Sequence, residues 1–221
     1  ADDIHYVREH DFVGVEFQTH GRYEHDLRVG IPGKFNVDNA LAAAGVCSFF
    51  DLPKEKVCHA LEHIQVDGRM EIVYKSAKCT VLVDYAHNAV SMESLLTTLR
   101  DYHPKRLVCV FGCGGNRARD RRYSMGEIGG KMADLCIITA DNPRFEKNED
   151  IIKDIEVGLA KTDGTYLVIP DRREAIFYAI RNAEEGDMIA IIGKGHEDYQ
   201  EIEGVKHHFL DREVVEEAVK G

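Results

Sequence analysis

The chain has 221 residues, 44% of them hydrophobic and 30% charged, which is typical of a folded protein with one large domain or two small ones. Its formal net charge of −11 argues against a nucleic-acid partner and against binding to an anionic membrane surface. No apolar run approaches the roughly 18 residues of a membrane span, so no membrane partner is expected.

Short strands followed by helices are predicted in region 1–68. The chain starts without an initiator Met and without the basic-then-apolar pattern of a signal peptide, which predicts a cytoplasmic protein and a segment of a longer chain. Two β-rich runs, Phe12–Thr19 and Tyr23–Val29, predict strands. Apolar residues at three- and four-residue spacing predict helices at Asn36–Phe50 and Pro53–His63. The region is small and mixed in composition, which argues against an independent domain.

From Arg69 onward, apolar strand runs alternate with helical patterns. Continuous apolar strands separated by helices are typical of a parallel sheet covered on both faces, so region 69–221 is predicted to be a doubly wound α/β domain. The predicted strands are Cys79–Val83, Arg106–Phe111, Leu135–Thr139, Tyr166–Ile169 and Met188–Ile192. The predicted helices are Ser91–Tyr102, Tyr123–Met132, Glu149–Lys161, Arg172–Glu184 and Arg212–Val219, with a hairpin around Glu203 and Gly204 before the last one.

Glycines and charged residues follow four of these strands. In an open α/β sheet, ligands bind beyond the carboxyl ends of the strands, so four polar strand ends on one edge predict a ligand site there. These strand-end segments are Asp84–Asn88, Gly112–Arg117, Asp141–Arg144 and Gly193–Glu197.

The segment Gly112–Arg117 is rich in glycine but does not fit a dinucleotide fingerprint. A GxGxxG motif would require Gly at position 117, where Arg stands, and no Walker loop occurs anywhere in the chain. Arg117 is followed by Arg119, Arg121 and Arg122, and this concentration of guanidinium groups predicts an anion site. The alternative is the solvated start of a helix.

The remaining strand ends carry carboxylates beside cationic or amide groups. Asp141–Arg144 combines an anion, an amide and a guanidinium, which suits an amino acid; the alternative is an internal Asp–Arg pair. Glu197 offers a second carboxylate to an ammonium group. Asp84 and His87 suit a ribose, a metal or a phosphate. The alternative for this segment is a helix cap at Asn88.

The six cysteines predict reduced, mostly buried thiols. Five lie in apolar stretches, and Cys113 alone lies in a Gly-rich turn. No CxxC pair occurs and no Cys/His spacing fits a zinc site, so no metal site is predicted from this chain.

Taken together, these segments resemble the Mur ligases. They occur in the family's order and extend from about Phe12 to the end of the chain, and DNPR together with GKGHE resembles the diaminopimelate-adding branch. The family usually continues its DYAH motif with Thr or Asn, then Pro and an acid, whereas Asn88 is followed here by Ala89 and Val90. The matching stretches are Gly33–Ala43, Gly68–Glu71, Asp84–His87, Gly112–Arg117, Asp141–Arg144 and Gly193–Tyr199.

The resemblance implies a place in a three-domain enzyme. Region 1–68 would be the C-terminal part of the central, ATP-binding domain, and region 69–221 the complete Rossmann-like C-terminal domain. The family's P-loop, its first domain and most of its Mg²⁺ ligands would lie outside the chain. The resemblance also implies ATP and Mg²⁺ as cofactors and a monomeric parent enzyme.

The implied activity is ATP-dependent amide formation between meso-diaminopimelate and UDP-N-acetylmuramoyl-L-alanyl-D-glutamate in peptidoglycan precursor synthesis. The resemblance assigns ATP contacts to Asn36, Asn39, Arg69, Asp84 and His87. It assigns diaminopimelate contacts to Arg117, Asp141, Asn142, Pro143, Arg144, Gly193 and Glu197. It places no catalytic residue in this segment, which is expected to be inactive alone because it lacks the parts that cradle phosphate.

Three alternatives stay open at this point. The first is an L-lysine-adding Mur ligase, which would be expected to replace Arg144 because lysine lacks a distal carboxylate. The second is a nicotinamide-dependent Rossmann oxidoreductase domain, and the third is a non-catalytic amino-acid-binding module.

Overall fold

The structure, a computed structural model, describes residues 1–9, 12–21 and 25–220. The described residues form two compact units, Ala1–Val66 and Asp67–Gly221. This division lies two residues from the predicted boundary between regions 1–68 and 69–221.

The first unit is a small antiparallel sheet with two helices. Strand β2 lies between β1 and β3, so both predicted strands find partners within the unit, whereas β1 was not predicted. Tyr23 and Glu24, at the start of the second predicted strand, lie outside the described residues. The elements are β1 (Asp2–Arg8), β2 (Val13–Thr19), β3 (His25–Val29), α1 (Phe35–Phe49) and α2 (Lys54–Glu62).

Alternation along the strands builds the core of this unit. Val15 and Phe17 of β2 lie opposite Val29 and Leu27 of β3, and all four are buried. Val37 of α1, with other apolar residues of both helices, packs against the same cluster. The sheet therefore buries one face against the helices, as a two-layer unit requires.

The second unit is built on a six-stranded sheet with the order β4-β5-β9-β6-β7-β8. The five strands from β5 to β8 in this order run parallel, and β4 pairs antiparallel with β5 at one edge. The predicted α/β sheet is confirmed, although β4 was not predicted. The strands are β4 (Glu71–Lys75), β5 (Cys79–Asp84), β6 (Arg106–Phe111), β7 (Leu135–Ile138), β8 (Tyr166–Val168) and β9 (Asp187–Ile192).

Helices connect these strands on both faces of the sheet. The chain moves outward from β5 to β8 through α3, α4 and α5, which pack in that order, and then returns through α6 to place β9 between β5 and β6. Because the crossovers are right-handed, α6 lies on the face of the sheet opposite to α3, α4 and α5, and α7 packs against α6. These helices are α3 (Ala89–Arg100), α4 (Arg119–Met132), α5 (Asn148–Leu159), α6 (Arg172–Arg181) and α7 (Asp211–Lys220).

The reversal at β9 opens a crevice at the carboxyl ends of the central strands, where open α/β sheets bind ligands. A two-stranded hairpin, β10 (Tyr199–Ile202) and β11 (Val205–His208), follows β9 at this edge and confirms the predicted hairpin. Among the described helices, none combines the length and the apolar character needed to cross a membrane.

Candidate functional site

The four strand-end segments come together around one cavity of about 180 Å³ at the carboxyl edge of the second unit's sheet. Every segment contributes to its wall. Of the seven residues predicted for the amino acid, six line the cavity and Pro143 lies between two that do. The lining residues are Tyr85, His87, Gly112, Cys113, Gly114, Arg117, Arg121, Asp141, Asn142, Arg144, Gly193 and Glu197.

The loops at the strand ends approach each other so closely that two positions require glycine. Gly193 has φ +111°, and a Cβ there would lie 2.6 Å from Oδ2 of Asp141. A Cβ on Gly115 would lie 1.9 Å from the carbonyl oxygen of Pro143. Side chains at these two positions would therefore push apart the loops that follow β6, β7 and β9.

Asp141 places an unpartnered carboxylate in the cavity wall. The residue is 7% exposed, and no described residue donates a hydrogen bond to its carboxylate. Burial raises the pKa of Asp141, while the nearby charges of Arg172 and Lys194 act in the opposite direction. Such a group is suited to receive a hydrogen-bonding cation from a ligand.

Glu197 is the second acid of the cavity, and protein groups fix its position. Its Oε2 accepts a 2.8 Å hydrogen bond from Nδ2 of Asn142, and the hydroxyl of Tyr85 donates to Oε1 at 3.4 Å. Nζ of Lys194 lies 3.7 Å from Oε2. The carboxylate is therefore held in place while it still faces the cavity.

Asn142 uses its side chain to hold the site together. It is almost fully buried, its Nδ2 is bonded to Glu197, and its Oδ1 accepts the backbone N–H of Glu201 at 2.9 Å. Both ends of the amide are therefore engaged within the protein. The structure places Asn142 in the cavity wall, as predicted, and shows it positioning its neighbours.

Two arginines of the cavity wall carry guanidinium groups available to a ligand. Arg117 is exposed and Arg121 half-buried, both line the cavity, and neither pairs with a carboxylate of the described residues. The four arginines predicted to form one anion site do not act together. Arg122 is buried and bonds to Glu146 at 2.8 Å and to Asp154 at 2.9 Å. Only part of the predicted arginine cluster therefore lines the cavity.

Arg144 enters the cavity from a loop that the hairpin fixes in place. Its backbone N–H donates to the carbonyl of Glu201, and its own carbonyl accepts from the N–H of Glu203. Nη1 donates to the carbonyl of Gly115 at 2.8 Å, and Nε donates to Glu201 at 3.2 Å. These bonds orient the guanidinium and leave Nη2 for a ligand, so the internal pair with Asp141 considered from the sequence does not form.

Three of the residues predicted for the nucleotide gather around Tyr85 at the edge of the cavity. The guanidinium carbon of Arg69 lies 5.0 Å from the centre of the Tyr85 ring, and the ring of His87 lies 4.8 Å from it. Asp84 is buried and accepts the N–H groups of Met70 and Ala86. These two bonds hold the loop, and burial raises the pKa of Asp84 although both hydrogen bonds oppose the shift.

The other two residues predicted for the nucleotide lie in the first unit, at the start of α1. Asn36 is buried, donates to the carbonyl of Pro32 at 2.7 Å and accepts from Nδ2 of Asn39 at 3.0 Å. Asn39 is exposed.

Sequence reasoning did not name every residue of the wall. Tyr85 and Cys113 line the cavity and Lys194 lies behind it without having been assigned a role, while Arg121 was named only as part of the arginine run. Each belongs to a motif or arginine run already visible in the sequence, so position within the strand-end segments was the available signal. The described residues contain no group of three or more His, Cys, Asp or Glu that could hold a metal.

Fold and site together define an α/β domain with a charged cavity at the carboxyl ends of its parallel strands, and comparison with known families gives its class. Residues 68–195 match the family model described as Mur ligase, glutamate ligase domain. Because this match covers more than half of the chain, the chain belongs to the Mur ligase family. The oxidoreductase alternative receives no support from it.

The names of individual relatives indicate which branch of the Mur ligase family this chain resembles. The UDP-N-acetylmuramoyl-L-alanyl-D-glutamate–2,6-diaminopimelate ligase of Caldanaerobacter subterraneus subsp. tengcongensis is 44% identical over 92% of this chain and 42% of its own length. That of Clostridium botulinum is 43% identical over 94% of this chain and 43% of its own length. A solved structure of a ligase with the same name has a TM-score of 0.76 at 33% identity, covering 99% of this chain and 44% of that one. The chain thus spans less than half the length of these relatives.

Proposed function

We propose that the cavity binds meso-diaminopimelate as the amino-acid substrate of an ATP-dependent amide ligase. The observation that carries this proposal is the set of unpaired charges in the wall: the buried Asp141 carboxylate and the guanidinium groups of Arg117 and Arg121 line the same cavity. The names of the most similar relatives support the same substrate.

The charges of diaminopimelate match those of the cavity. The molecule has two ammonium and two carboxylate groups, so Asp141 and Glu197 would take an ammonium while Arg117 and Arg144 would each take a carboxylate in charge-assisted bonds. Lysine lacks the distal carboxylate and would leave one guanidinium of the cavity unpaired. The cavity therefore favours diaminopimelate over L-lysine.

The reaction we propose transfers the γ-phosphoryl group of ATP to the D-glutamate carboxylate of UDP-N-acetylmuramoyl-L-alanyl-D-glutamate. The amine of diaminopimelate then attacks the acyl carbon, the C–N bond forms, the C–O bond to phosphate breaks, and phosphate and a proton leave. The residues of the cavity would contribute by orienting the amine, which is an effect of positioning.

We further propose that region 1–68 belongs to the central ATP-binding domain and region 69–221 to the C-terminal domain. Asn36 and Asn39 would contact adenine, and Arg69, Asp84 and His87 would lie near the ribose and phosphates. Bound Mg²⁺ supplies charge neutralisation at phosphate groups. Because the described residues offer no cluster of metal ligands, we assign it none in this chain.

Isothermal titration of the chain with meso-diaminopimelate and with L-lysine tests the substrate. We expect diaminopimelate to bind at least about tenfold more tightly, because a hydrogen bond to a charged group contributes about 1.5–3 kcal/mol. Equal affinity for the two ligands would contradict the proposal.

The variant Arg144→Met sharpens this test. It should weaken diaminopimelate at least about tenfold and leave L-lysine unchanged, so that the preference disappears. Arg119→Met is the matched control, since Arg119 is exposed at the start of α4 and does not line the cavity. If Arg144→Met weakened both ligands equally, Arg144 would not recognise the distal carboxylate.

A further inference from the structure

Lys194 is a charged residue buried directly behind the cavity. It follows β9, has 0% exposure and does not line the cavity. Lysine is almost never fully buried unless it is paired, so its partners indicate what it does.

Oxygen atoms from three segments surround the Lys194 ammonium group. Nζ donates to the carbonyl oxygen of Tyr199 at the start of β10 and, at 3.4 Å, to Oδ1 of Asn142 after β7. Its third neighbour is Oε2 of Glu197, at 3.7 Å. An ammonium group has three donors and no acceptor, so this arrangement matches the protonated side chain.

These contacts reach the cavity through Asn142. The Oδ1 atom that faces Lys194 also accepts the N–H of Glu201, and Nδ2 of the same amide donates to Glu197. Lys194 and the Glu201 N–H therefore both require the oxygen end of the amide, which turns the NH₂ end toward Glu197. The buried cation thus contacts the residue that bonds both to a cavity acid and to the first strand of the hairpin.

We propose that Lys194 is a positioning residue of the amino-acid cavity, holding Asn142 and Glu197 in the arrangement that receives the ammonium group of the substrate. The inference rests on the proposed function for the identity of the ligand. Lys194 itself is shielded from the cavity and acts through its two neighbours.

The contacts of Lys194 can be tested without a ligand. Lys194→Met should speed hydrogen exchange of the Glu201 N–H about tenfold relative to the core amides of β5 and β9, because Asn142 loses its fixed orientation. Lys206→Met is the matched control, since Lys206 lies 3.8 Å over the ring of Tyr199 but is exposed. Unchanged exchange in Lys194→Met would overturn the proposal.

Ligand chemistry separates positioning from a general loss of structure. Pimelate has the two carboxylates of diaminopimelate and no ammonium group, so the arginines alone would bind it. Lys194→Met should weaken diaminopimelate at least about tenfold and change pimelate affinity less than about twofold. Equal weakening of both ligands would assign Lys194 a merely structural role and overturn the proposal.

The variant Lys194→Gln and the binding of both ligands to the wild-type chain provide two further checks. Lys194→Gln removes the charge but keeps a donor toward the Tyr199 carbonyl; if Lys194→Met does not fold, Lys194→Gln must show the same pattern of exchange and affinity. If the wild-type chain binds neither ligand, the proposed function fails, and the exchange of the Glu201 N–H then decides by itself whether Lys194 holds Asn142.

Discussion

At the scale of single residues, the buried charge of Asp141 has a cost in stability. Its carboxylate is buried and the described residues donate no hydrogen bond to it, and burial raises its pKa above the ordinary value for Asp. An acid whose pKa is higher in the folded state than in the unfolded state destabilises the fold when both are ionised. Stability then increases as the pH falls through the folded-state pKa.

Asp141→Asn should therefore raise the melting temperature at pH 7 and weaken diaminopimelate at least about tenfold, because the buried charge and the partner of the ammonium group disappear together. The gain in melting temperature should shrink as the pH falls through the raised pKa, where the wild-type carboxyl becomes protonated. Thermal unfolding monitored by circular dichroism at a series of pH values measures the difference in melting temperature between the variant and the wild type. A lower melting temperature at pH 7 would show that the ionised carboxylate stabilises the fold.

At the scale of elements, the start of α3 shows how the helix is capped although Ala89 and Val90 stand where the family usually has Pro and an acid. Oδ1 of Asn88 accepts the N–H of Ser91 at 3.0 Å, and Oγ of Ser91 accepts the N–H of Asn88 at 3.3 Å. These reciprocal bonds satisfy two backbone donors at the helix terminus. Helix α3 thus begins at Ala89 without the proline and acid usual in the family.

Asn88→Ala should lower the free energy of unfolding by about 1 kcal/mol, since it removes the side-chain cap. Urea unfolding followed by circular dichroism measures the change. Glu93→Ala is the control, because Glu93 is exposed on the same helix. Equal effects of the two substitutions would mean that the cap contributes nothing.

The central strands could be predicted from the sequence because burial on both faces leaves a continuous apolar signature. Arg106–Phe111 was predicted with the bounds that the structure has, and Cys79–Asp84 and Asp187–Ile192 differ by one residue from their predictions. Edge strands β1 and β4 were missed, because Asp2–Arg8 and Glu71–Lys75 mix charged and apolar residues and are only partly buried. Their pairing depends on neighbours distant in sequence.

The edge of the sheet that carries the site was predictable for a topological reason. Parallel strands end at the same edge, so four polar strand ends had to meet wherever the sheet formed. The roles of individual side chains were not predictable in the same way. The sequence places Arg122 in the predicted anion site, yet its partner Asp154 lies 32 residues along the chain, and only the packing of α4 against α5 brings the two together.

At the scale of the whole second unit, one buried ion pair joins two helices on the same face of the sheet to the ends of two strands. Arg172 and Asp211, each with 0% side-chain exposure, form two hydrogen bonds of 2.7 Å between the first residues of α6 and α7. The same guanidinium donates to the carbonyls of Ala140 and Ile192, just beyond β7 and at the end of β9. Arg172 also lies close enough to Asp141 to oppose the rise in its pKa.

Loss of one partner should therefore affect both the stability of this unit and its cavity. Asp211→Asn is expected to lower the free energy of unfolding by about 3–5 kcal/mol, because it leaves the Arg172 charge buried without its counter-ion. Glu217→Gln is the matched control: Glu217 pairs with Arg173, the next residue of α6, but both are about half exposed, and such a pair contributes at most about 1 kcal/mol. Urea unfolding followed by far-ultraviolet circular dichroism compares the two variants, since the chain contains no Trp. If Asp211→Asn destabilised the protein no more than Glu217→Gln, the carbonyls of Ala140 and Ile192 would suffice to hold the guanidinium, and the ends of β7 and β9 would not depend on the ion pair.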